Sequence, residues 1–358
     1  MYPRKGRAWM EVDLRALTRN ASVLASHAGV PLLPMVKADA YGLGAREVVG
    51  ALETLEPWGY GVATVDEGIE LRECGVTRPV VVFTPLLTDE LAAASAARLT
   101  PSLGSERSIL EWKSHGSPWH LSVDTGMSRA GVPWREVSSI RSAVAVVPPE
   151  GAFTHFHSAE LDDVSMAEQE SRFRTAVALL DERPRLLHTD ASAAIVRRGR
   201  SDLDLIRPGI FMYGVQTVAG AGIDADTVVH VRSRVVETRW LAAGDTVSYN
   251  ATYTAASARL VATVAIGYGD GYPRSLGNIG EAIIRGRRAA VVGRVTMDMV
   301  MLDVTNIGCS VGDIATLIGR DTETDAVITV ASVASQAGMS PYELLTGLRG
   351  RLHRIHIE

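Results

Sequence analysis

The sequence predicts an α/β protein in which a parallel (β/α)8, TIM-like barrel is followed by a C-terminal, mostly-β domain. Eight short apolar runs alternate with helical segments over the first part of the chain, as they do in a barrel. From about Val228 the runs become closely spaced and rich in β-branched residues, which is typical of antiparallel sheets. The chain has 358 residues, 46% of them apolar, and at about 150 residues per domain this is enough for two buried cores. We place the barrel at residues 1–227 and the β domain at residues 228–358.

The first predicted element is a helix from Glu11 to Ala28, because apolar residues recur there at every third or fourth position. Asp13 is suited to cap its start. Predicted strands and amphipathic helices then alternate as far as residue 214. The predicted barrel strands are LLPMVKA (32–38), GYGVATV (59–65), PVVVFTP (79–85), RLTPSL (98–103), WHLSVDTG (119–126), EGAFTHF (150–156), RLLHTD (185–190) and LIRPGIFMYG (205–214).

A stretch rich in Gly, Ala and Asp, VAGAGIDADT (218–227), is the predicted linker to the β domain. Beyond it, helical periodicity is absent until the short segment ASVASQAGM (331–339). The chain ends in a modest basic cluster, RGRLHRIHIE, which we interpret as a solvated face.

The composition argues against several functional classes. A formal net charge of −5 is unsuited to binding a nucleic-acid backbone. No apolar run reaches the ~20 residues of a membrane helix, and the opening residues lack the apolar run of a secretory signal. Cys74 and Cys309 provide neither a disulfide framework nor a metal-ligand spacing. We therefore expect a reduced, cytoplasmic setting with no metal, nucleic-acid or membrane partner.

The C-terminal ends of the predicted barrel strands carry reactive side chains, and the active sites of barrels lie at these ends. They are Lys37, Tyr41, Arg129, His155, His188, Ser192 and Arg207. Lys37 follows an apolar strand, where burial disfavours the ammonium form. A lysine at a strand end commonly extends into solvent, whereas a buried one can become a nucleophile toward an aldehyde cofactor. The residues around Lys37 decide between these interpretations.

The string VKADAYGLG around Lys37 closely resembles the cofactor-lysine motif of the alanine racemase family, pyridoxal-phosphate enzymes built from a barrel and a β domain. Further segments resemble the family in the family's order, and together they cover essentially the whole chain. They are HLSVDTGMSRAG (120–131), FTHFHSAE (153–160), RPGIFMYG (207–214), VSYNATYTA (247–255), AIGYGDGYPR (265–274) and VVGRVTMDM (291–299). The resemblance implies interconversion of L- and D-alanine, which supplies D-alanine for peptidoglycan synthesis.

The resemblance also implies catalytic roles for individual residues. Lys37 holds the aldehyde of pyridoxal phosphate and acts as the base on one face of the substrate, and Tyr268 acts on the opposite face. Because a tyrosine hydroxyl ordinarily has a pKa of about 10, it needs help from a network that includes His155 and Arg207. Arg207 contacts the pyridine nitrogen and keeps its own proton, which leaves the ring a weaker electron sink and favours return of the proton to the α-carbon.

Other residues are implied to bind the cofactor phosphate and the substrate. Hydroxyl groups and backbone amides hold the phosphate, and they belong here to Tyr41, Ser192, Gly209 and Ile210. Arg129 binds the substrate carboxylate together with the backbone amide of Met297. Since Tyr268 and Met297 lie in the β domain, the family pattern implies a homodimer in which they complete the partner's site.

Plain structural interpretations exist for three of these residues taken alone. Tyr268 could be a turn residue in a glycine-rich hairpin, Arg207 a surface arginine before a proline, and Met297 a methionine of the sheet core.

The chain departs from the family pattern at three positions. Ser122 stands where many relatives have a lysine whose carbamate orients the arginine. Arg129 must then be steadied by a neutral hydroxyl, a bound anion or another carboxylate, and we expect a replacement anion near it. Ala191 replaces a common asparagine before the serine. A tyrosine that lies near the phosphate in several relatives is expected to be replaced at Gly350.

Three other functions compete with alanine racemisation. A serine or broad-specificity racemase differs by one substrate hydroxyl, which a small pocket excludes poorly. A barrel-type amino-acid decarboxylase is expected to have a longer chain and no GYGDGYP tyrosine. A non-catalytic pyridoxal-phosphate-binding protein is a single barrel, which leaves the β domain unexplained.

Overall fold

A computed structural model describes residues 6–116, 118–161, 163–348 and 350–358. The elements of its first part, in chain order, are β1 (Ala8–Asp13), α1 (Leu14–Ala28), α2 (Lys37–Gly42), α3 (Ala45–Leu52), β2 (Tyr60–Val62), α4 (Val65–Glu73), β3 (Val80–Val82), α5 (Leu91–Ala96), β4 (Thr100–Leu103), α6 (Glu106–Trp112), β5 (His120–Asp124), β6 (Val132–Pro133), α7 (Val137–Val146), β7 (Gly151–Phe153), α8 (Ser165–Ala178), β8 (Leu186–His188) and α9 (Ser192–Arg198).

Six parallel strands form most of the barrel wall in the order β2-β3-β4-β5-β7-β8, and β6 pairs with β5. The first and last predicted strands are reduced to isolated parallel bridges, Leu32 with Ile206 and Met35 with Gly61. Prolines at 31, 34 and 208 lack the N–H that a longer ladder needs. A third parallel bridge, Ala191 with Arg207, joins the eighth run to the end of the seventh. The three bridges close the wall, so the predicted (β/α)8 barrel is confirmed with all eight runs in place.

The second part consists mostly of strands, as predicted. Its elements are β9 (Val229–Leu241), β10 (Thr246–Val247), β11 (Tyr253–Thr254), β12 (Arg259–Val264), β13 (Glu281–Ile284), β14 (Arg287–Ala290), β15 (Val300–Asp303), β16 (Ile314–Arg320), β17 (Val327–Ile328), α10 (Val330–Ala337), α11 (Pro341–Gly347) and β18 (His353–Ile357). The main path of the large sheet is β14-β13-β16-β9-β1-β18, and β12 joins it by pairing with β9. Residues 218–227 contain no helix or strand.

The start of the chain differs from the prediction. The first helix begins at Leu14 and not at Glu11, and Oδ1 of Asp13 caps it by accepting from the amide of Ala16 at 2.7 Å. Residues 8–13 instead form β1, which lies between β9 and β18 in the sheet of the second part. A local apolar pattern could not show this, because the pairing partners of β1 are more than 200 residues away.

Among the helices that the structure describes, none combines the length and apolar character needed to cross a membrane.

Candidate active site

A cavity of about 290 Å³ lies at the C-terminal ends of the barrel strands. Eight predicted site residues line it: Lys37, Tyr41, Arg129, His155, Ser192, Arg207, Gly209 and Ile210. The barrel thus gathers into one cavity side chains that are up to 173 positions apart in the chain. The two predicted site residues of the second part, Tyr268 and Met297, do not reach this cavity.

Lys37 begins α2, a turn with unusual backbone geometry. The four residues after it, 38–41, have φ between 52° and 59°, the left-handed region, although none is glycine. Such a conformation costs about 1–2 kcal/mol per residue and persists only where neighbouring contacts hold it. Asp39 provides two such contacts: it accepts from the amide of Ala45 at 2.7 Å, and it forms an ion pair with Arg354 near the C-terminus. The cavity lysine is therefore held by both parts of the chain.

The pKa of the Lys37 amine is lowered by its surroundings. Burial is the main cause that lowers its pKa, and the positive charge of Arg129 acts in the same direction, against the carboxylate of Glu67. A lowered pKa increases the fraction of neutral amine, the form that attacks a carbonyl.

Arg207 is a buried cation with an unused donor. Arg207 is only 3% exposed to solvent. Nη1 donates to the carbonyl oxygen of His188 at 2.6 Å, and Nη2 donates to those of Thr154 and Thr189 at 2.7 and 3.0 Å. No residue in the described ranges accepts from Nε. Burial lowers the pKa of Arg207 to about 10, which still leaves it protonated at neutral pH with one N–H to offer.

His155 lies beside Arg207 as a neutral imidazole. Burial, followed by the charge of Arg207, lowers its pKa to about 3. Nδ1 of the ring is 3.4 Å from Nη2 of Arg207. The buried amide of Gln169 holds the same segment, because its Nε2 donates to the carbonyl oxygen of His155 at 3.2 Å. Sequence analysis missed Gln169, since no motif marks a glutamine within an amphipathic helix.

Hydroxyl and amide groups meet at one end of the cavity. Oγ of Ser192 accepts from the amide of Gly209 at 2.9 Å, while the hydroxyl of Tyr41 and the amide of Ile210 have no partner in the part of the chain described. A Cβ at Gly209 would lie 2.6 Å from the Tyr41 hydroxyl oxygen, so only glycine leaves room for that hydroxyl.

A tyrosine lies at this end of the cavity, although a tyrosine of the family was expected to be replaced at Gly350. Tyr342, on α11, lines the cavity with its ring 5.9 Å from that of Tyr41. Gly350 lies by the carbonyl oxygen of Gly269 instead, 3.3 Å from where its Cβ would be. The tyrosine at this end of the cavity is thus Tyr342, and position 350, where a replacement was expected, is not among the residues that line the cavity.

Arg129 has no carboxylate partner within the described chain. It is exposed, and no ion pair to it occurs among the residues that the structure places. Its neighbour Asp124 is engaged elsewhere, since Oδ1 accepts from the amides of Gly126 and Ser128 at 2.9 and 3.1 Å. A replacement anion beside Arg129 remains a prediction.

Tyr268 and Met297 line a separate, open groove on the β domain. They are 42% and 53% exposed, respectively, which is unusual for large apolar side chains. Their loops are hydrogen-bonded to each other: the amide of Tyr268 donates to the carbonyl oxygen of Thr296 at 3.0 Å, and the amide of Gly269 donates to that of Met297 at 2.9 Å. The two side chains form one exposed unit.

Arg351 ties these two loops together. Its Nε is 3.0 Å from Oδ1 of the buried Asp270, in the Tyr268 loop, and its Nη1 is 2.6 Å from Oδ1 of Asp298, in the Met297 loop. Asp270 in turn accepts from the amide of Gly267 at 2.9 Å. The basic C-terminal cluster is thus more than a solvated face, and the sequence alone gave no partner for it.

The groups that line the cavity fit pyridoxal phosphate. Lys37 is an amine of lowered pKa suited to the aldehyde, Arg207 has a spare N–H, and the unpartnered Tyr41 hydroxyl and Ile210 amide suit a phosphate.

Comparison with known proteins agrees with this chemistry. Residues 12–217 match the sequence profile of the alanine racemase N-terminal domain, and residues 228–356 match that of the C-terminal domain. Alanine racemase of Citrifermentans bemidjiense is 38% identical over 97% of this chain and 98% of its own. The structure of alanine racemase from Bartonella henselae with covalently bound pyridoxal phosphate has a TM-score of 0.90 at 27% identity, covering 98% of this chain and all of that one. The enzyme from Bacillus anthracis with bound L-Ala-P gives 0.90 at 29% identity, covering 99% and 96%.

Proposed function

Because the chain belongs to the alanine racemase family of pyridoxal-phosphate enzymes, we propose that it interconverts L- and D-alanine with Lys37 and Tyr268 as its two bases. The observation that carries the proposal is the cavity in which Lys37, an amine of lowered pKa, lies with the buried cation Arg207. Its product, D-alanine, would serve peptidoglycan synthesis.

The cavity residues divide the work of holding the cofactor. Lys37 would bind its aldehyde, the hydroxyls of Tyr41 and Ser192 and the amide of Ile210 would bind its phosphate, and Nε of Arg207 would donate to its ring nitrogen. Bound pyridoxal phosphate supplies the electron sink that acidifies the α-proton of the amino acid. Arg207 donates a hydrogen bond without giving up its proton, which moderates that sink.

Racemisation requires a proton to leave one face of the α-carbon and another to arrive on the opposite face. Nζ of Lys37 exchanges the proton on the face used by D-alanine, and the Tyr268 hydroxyl exchanges it on the face used by L-alanine. His155 is neutral at physiological pH because its pKa is low, so it can accept a hydrogen bond within the Arg207 network without adding charge. Arg129 would hold the substrate carboxylate with the Met297 amide.

We propose a homodimer in which each β domain completes the other subunit's cavity. Tyr268 and Met297 are exposed on one chain and lie outside its own cavity, so they need a second chain to act on substrate. The Met297 amide and the second base would then both come from the partner, while Arg129 would come from the same chain as the cavity.

Circular dichroism of the purified enzyme with L-alanine and with L-serine, in separate reactions, tests the function. Alanine should racemise faster. A preference for L-serine would assign the alternative serine racemase, and release of carbon dioxide without inversion would assign a decarboxylase.

Borohydride reduction followed by peptide mapping tests the attachment site. The sequence contains three lysines, Lys5, Lys37 and Lys113, so the outcome is unambiguous. Cofactor should be recovered on Lys37. Its recovery on either of the other two would contradict the proposed site.

A further inference from the structure

A column of buried polar side chains leads away from Arg207 through the barrel interior. Nη1 of Arg207 is 2.7 Å from Nδ1 of His188, and Nε2 of His188 is 2.8 Å from Nδ1 of His120. Nε2 of His120 faces Oε2 of Glu150 at 3.8 Å, which is too long for a hydrogen bond and makes this last contact an electrostatic one. Glu150 precedes β7, so this histidine column joins the cavity to the opposite, N-terminal end of the strands.

The strand between the two histidines has space for the column. His120 and His188 lie on β5 and β8, which are separated by β7. A Cβ at Gly151, on β7, would lie 2.9 Å from Nε2 of His120, so glycine leaves the space through which that ring crosses. The ring of Phe153 stacks on His188 with centroids 5.2 Å apart, and both imidazoles are fully buried. Nε2 of His120 has no hydrogen-bond partner among the described residues, so the nearby Glu150 carboxylate is the only group of the column that can stabilise its N–H, through its charge.

The hydrogen-bond donors and acceptors determine the direction in which the N–H groups of the column point. Arginine has donors only, so Nδ1 of His188 must accept from Arg207 and carry no proton. A neutral His188 then has its proton on Nε2 and donates to Nδ1 of His120. His120 therefore also has its proton on Nε2, directed toward Glu150. Every N–H in the column is directed from the cavity toward the carboxylate.

The protonation states of the two histidines and Glu150 agree with this direction of the N–H groups. Burial lowers the pKa of both histidines, so both are neutral at physiological pH. The facing ring of His120, followed by Arg185, lowers the pKa of Glu150, which therefore ends the column as a carboxylate. The ion pair of Glu150 with Arg185 fixes that end at the barrel rim. A cation at one end and an anion at the other polarise the two neutral rings in the same direction.

We propose that His120 and Glu150 are positioning residues for the cofactor site, acting through His188 to keep Nδ1 of that ring an acceptor and so to hold the Arg207 guanidinium in place. The proposal rests on the proposed function, in which Arg207 donates to the cofactor ring. If the column ran the other way, an N–H of His188 would face an N–H of Arg207, and the guanidinium would lose that contact.

Long-range ¹H–¹⁵N correlation spectra of ¹⁵N-histidine protein, without and with pyridoxal phosphate, read the tautomers directly. His188 and His120 should both be neutral and protonated at Nε2 in both states. A proton on Nδ1 of either ring would overturn the proposal. The spectra of the unloaded protein decide this even if the wild type does not bind the cofactor, in which case the proposed function alone fails.

Two variants test the link to Arg207. His120→Leu removes the acceptor for His188 and should weaken cofactor binding about tenfold, with a changed ¹⁵N shift at His188. Glu150→Gln keeps the shape of the side chain but removes its charge, and should weaken binding about threefold with a smaller shift in the same direction. Glu150→Gln still tests the proposal if His120→Leu fails to fold.

His230→Gln is the matched control. His230 is a buried histidine of β9 whose Nδ1 accepts from the amide of Arg320 at 3.0 Å, away from the cavity. This variant should lose stability while keeping the wild-type shifts of His188 and the wild-type cofactor affinity. If Glu150→Gln behaves as this control does, the proposed positioning role is wrong.

Discussion

Individual side chains of the cavity owe their chemistry to burial as much as to residue type. An exposed lysine is an ammonium ion at neutral pH, whereas the pKa of Lys37 is lowered, chiefly by burial. Arg207, the most buried cation of the site, is satisfied by three carbonyl oxygens and yet keeps Nε for a ligand. Burial thus favours the neutral amine at Lys37, whereas Arg207 stays charged because three carbonyl oxygens accept hydrogen bonds from its guanidinium.

The lowered pKa of Lys37 predicts how unloaded protein reacts with an amine-directed reagent. Only the neutral amine reacts, so labelling of Lys37 should reach half its maximal rate at a pH below the ordinary lysine value of about 10.4. Mass spectrometry of Lys37 peptides across a pH series measures this, and exposed Lys113 reports on the reagent in the same samples. A half-maximal pH at or above 10.4 would contradict the effect of burial.

Tyr268→Phe should impair the two directions of the reaction unequally. Loss of a general base typically costs about 10²–10⁴ in rate, so exchange of the α-proton of L-alanine should fall by that factor. Exchange from D-alanine, which depends on Lys37, should be affected much less. Single-turnover exchange in heavy water, started from each enantiomer, makes the comparison. An equal fall from both enantiomers would favour the interpretation that Tyr268 only packs in a hairpin.

Two short segments set the geometry of the site. The left-handed turn of α2 begins at Lys37 and is secured by Asp39, which pairs with Arg354 of β18. The loops of Tyr268 and Met297 are secured by Arg351, just before the same strand. The C-terminal residues therefore brace both the cavity lysine and the unit that we propose to act in the partner.

Arg351→Met should disturb the Tyr268 loop while leaving Lys37 in place. The substitution leaves buried Asp270 without its cation, and loss of a hydrogen bond to a charged group costs about 1.5–3 kcal/mol. If this free energy is lost from the positioning of Tyr268, the exchange rate falls roughly tenfold or more. Exchange of the α-proton should slow more from L-alanine than from D-alanine. Arg351→Lys should restore part of the loss.

Arg320→Met serves as its control, since Arg320 forms an exposed ion pair with Asp325 in the same domain. It should leave both exchange rates unchanged. Equal slowing from both enantiomers in Arg351→Met would show that Arg351 stabilises the domain without positioning the tyrosine.

The assembly of two chains can be tested by complementation. Lys37→Ala and Tyr268→Phe each damage one of the two bases, and in a mixed dimer with shared sites one of the two cavities would contain both. Mixing the variants under conditions that exchange subunits should restore activity toward that of one site per dimer. If mass spectrometry shows mixed dimers and no activity returns, the sites are not shared.

The sequence by itself determined the fold class, the eight apolar runs of the barrel and eight of the residues that line the cavity. Those strands are local apolar runs with reactive residues at their ends, so pattern and motif were sufficient for them. Asp13 as helix cap was equally local, since it bonds to the amide three residues away.

Only the tertiary structure decided the features that depend on distant pairs. β1 joins the second sheet because β9 and β18 provide its hydrogen bonds, and the helical pattern that follows it carries no sign of them. Tyr342 reaches the cavity because α11 packs near α2, and Arg351 binds Asp270 from 81 positions away. The histidine column exists because Gly151 leaves space for a ring from a neighbouring strand. Sequence patterns report periodicity along the chain, whereas the direction of a side chain across a barrel is set by the register of strands that meet only after folding.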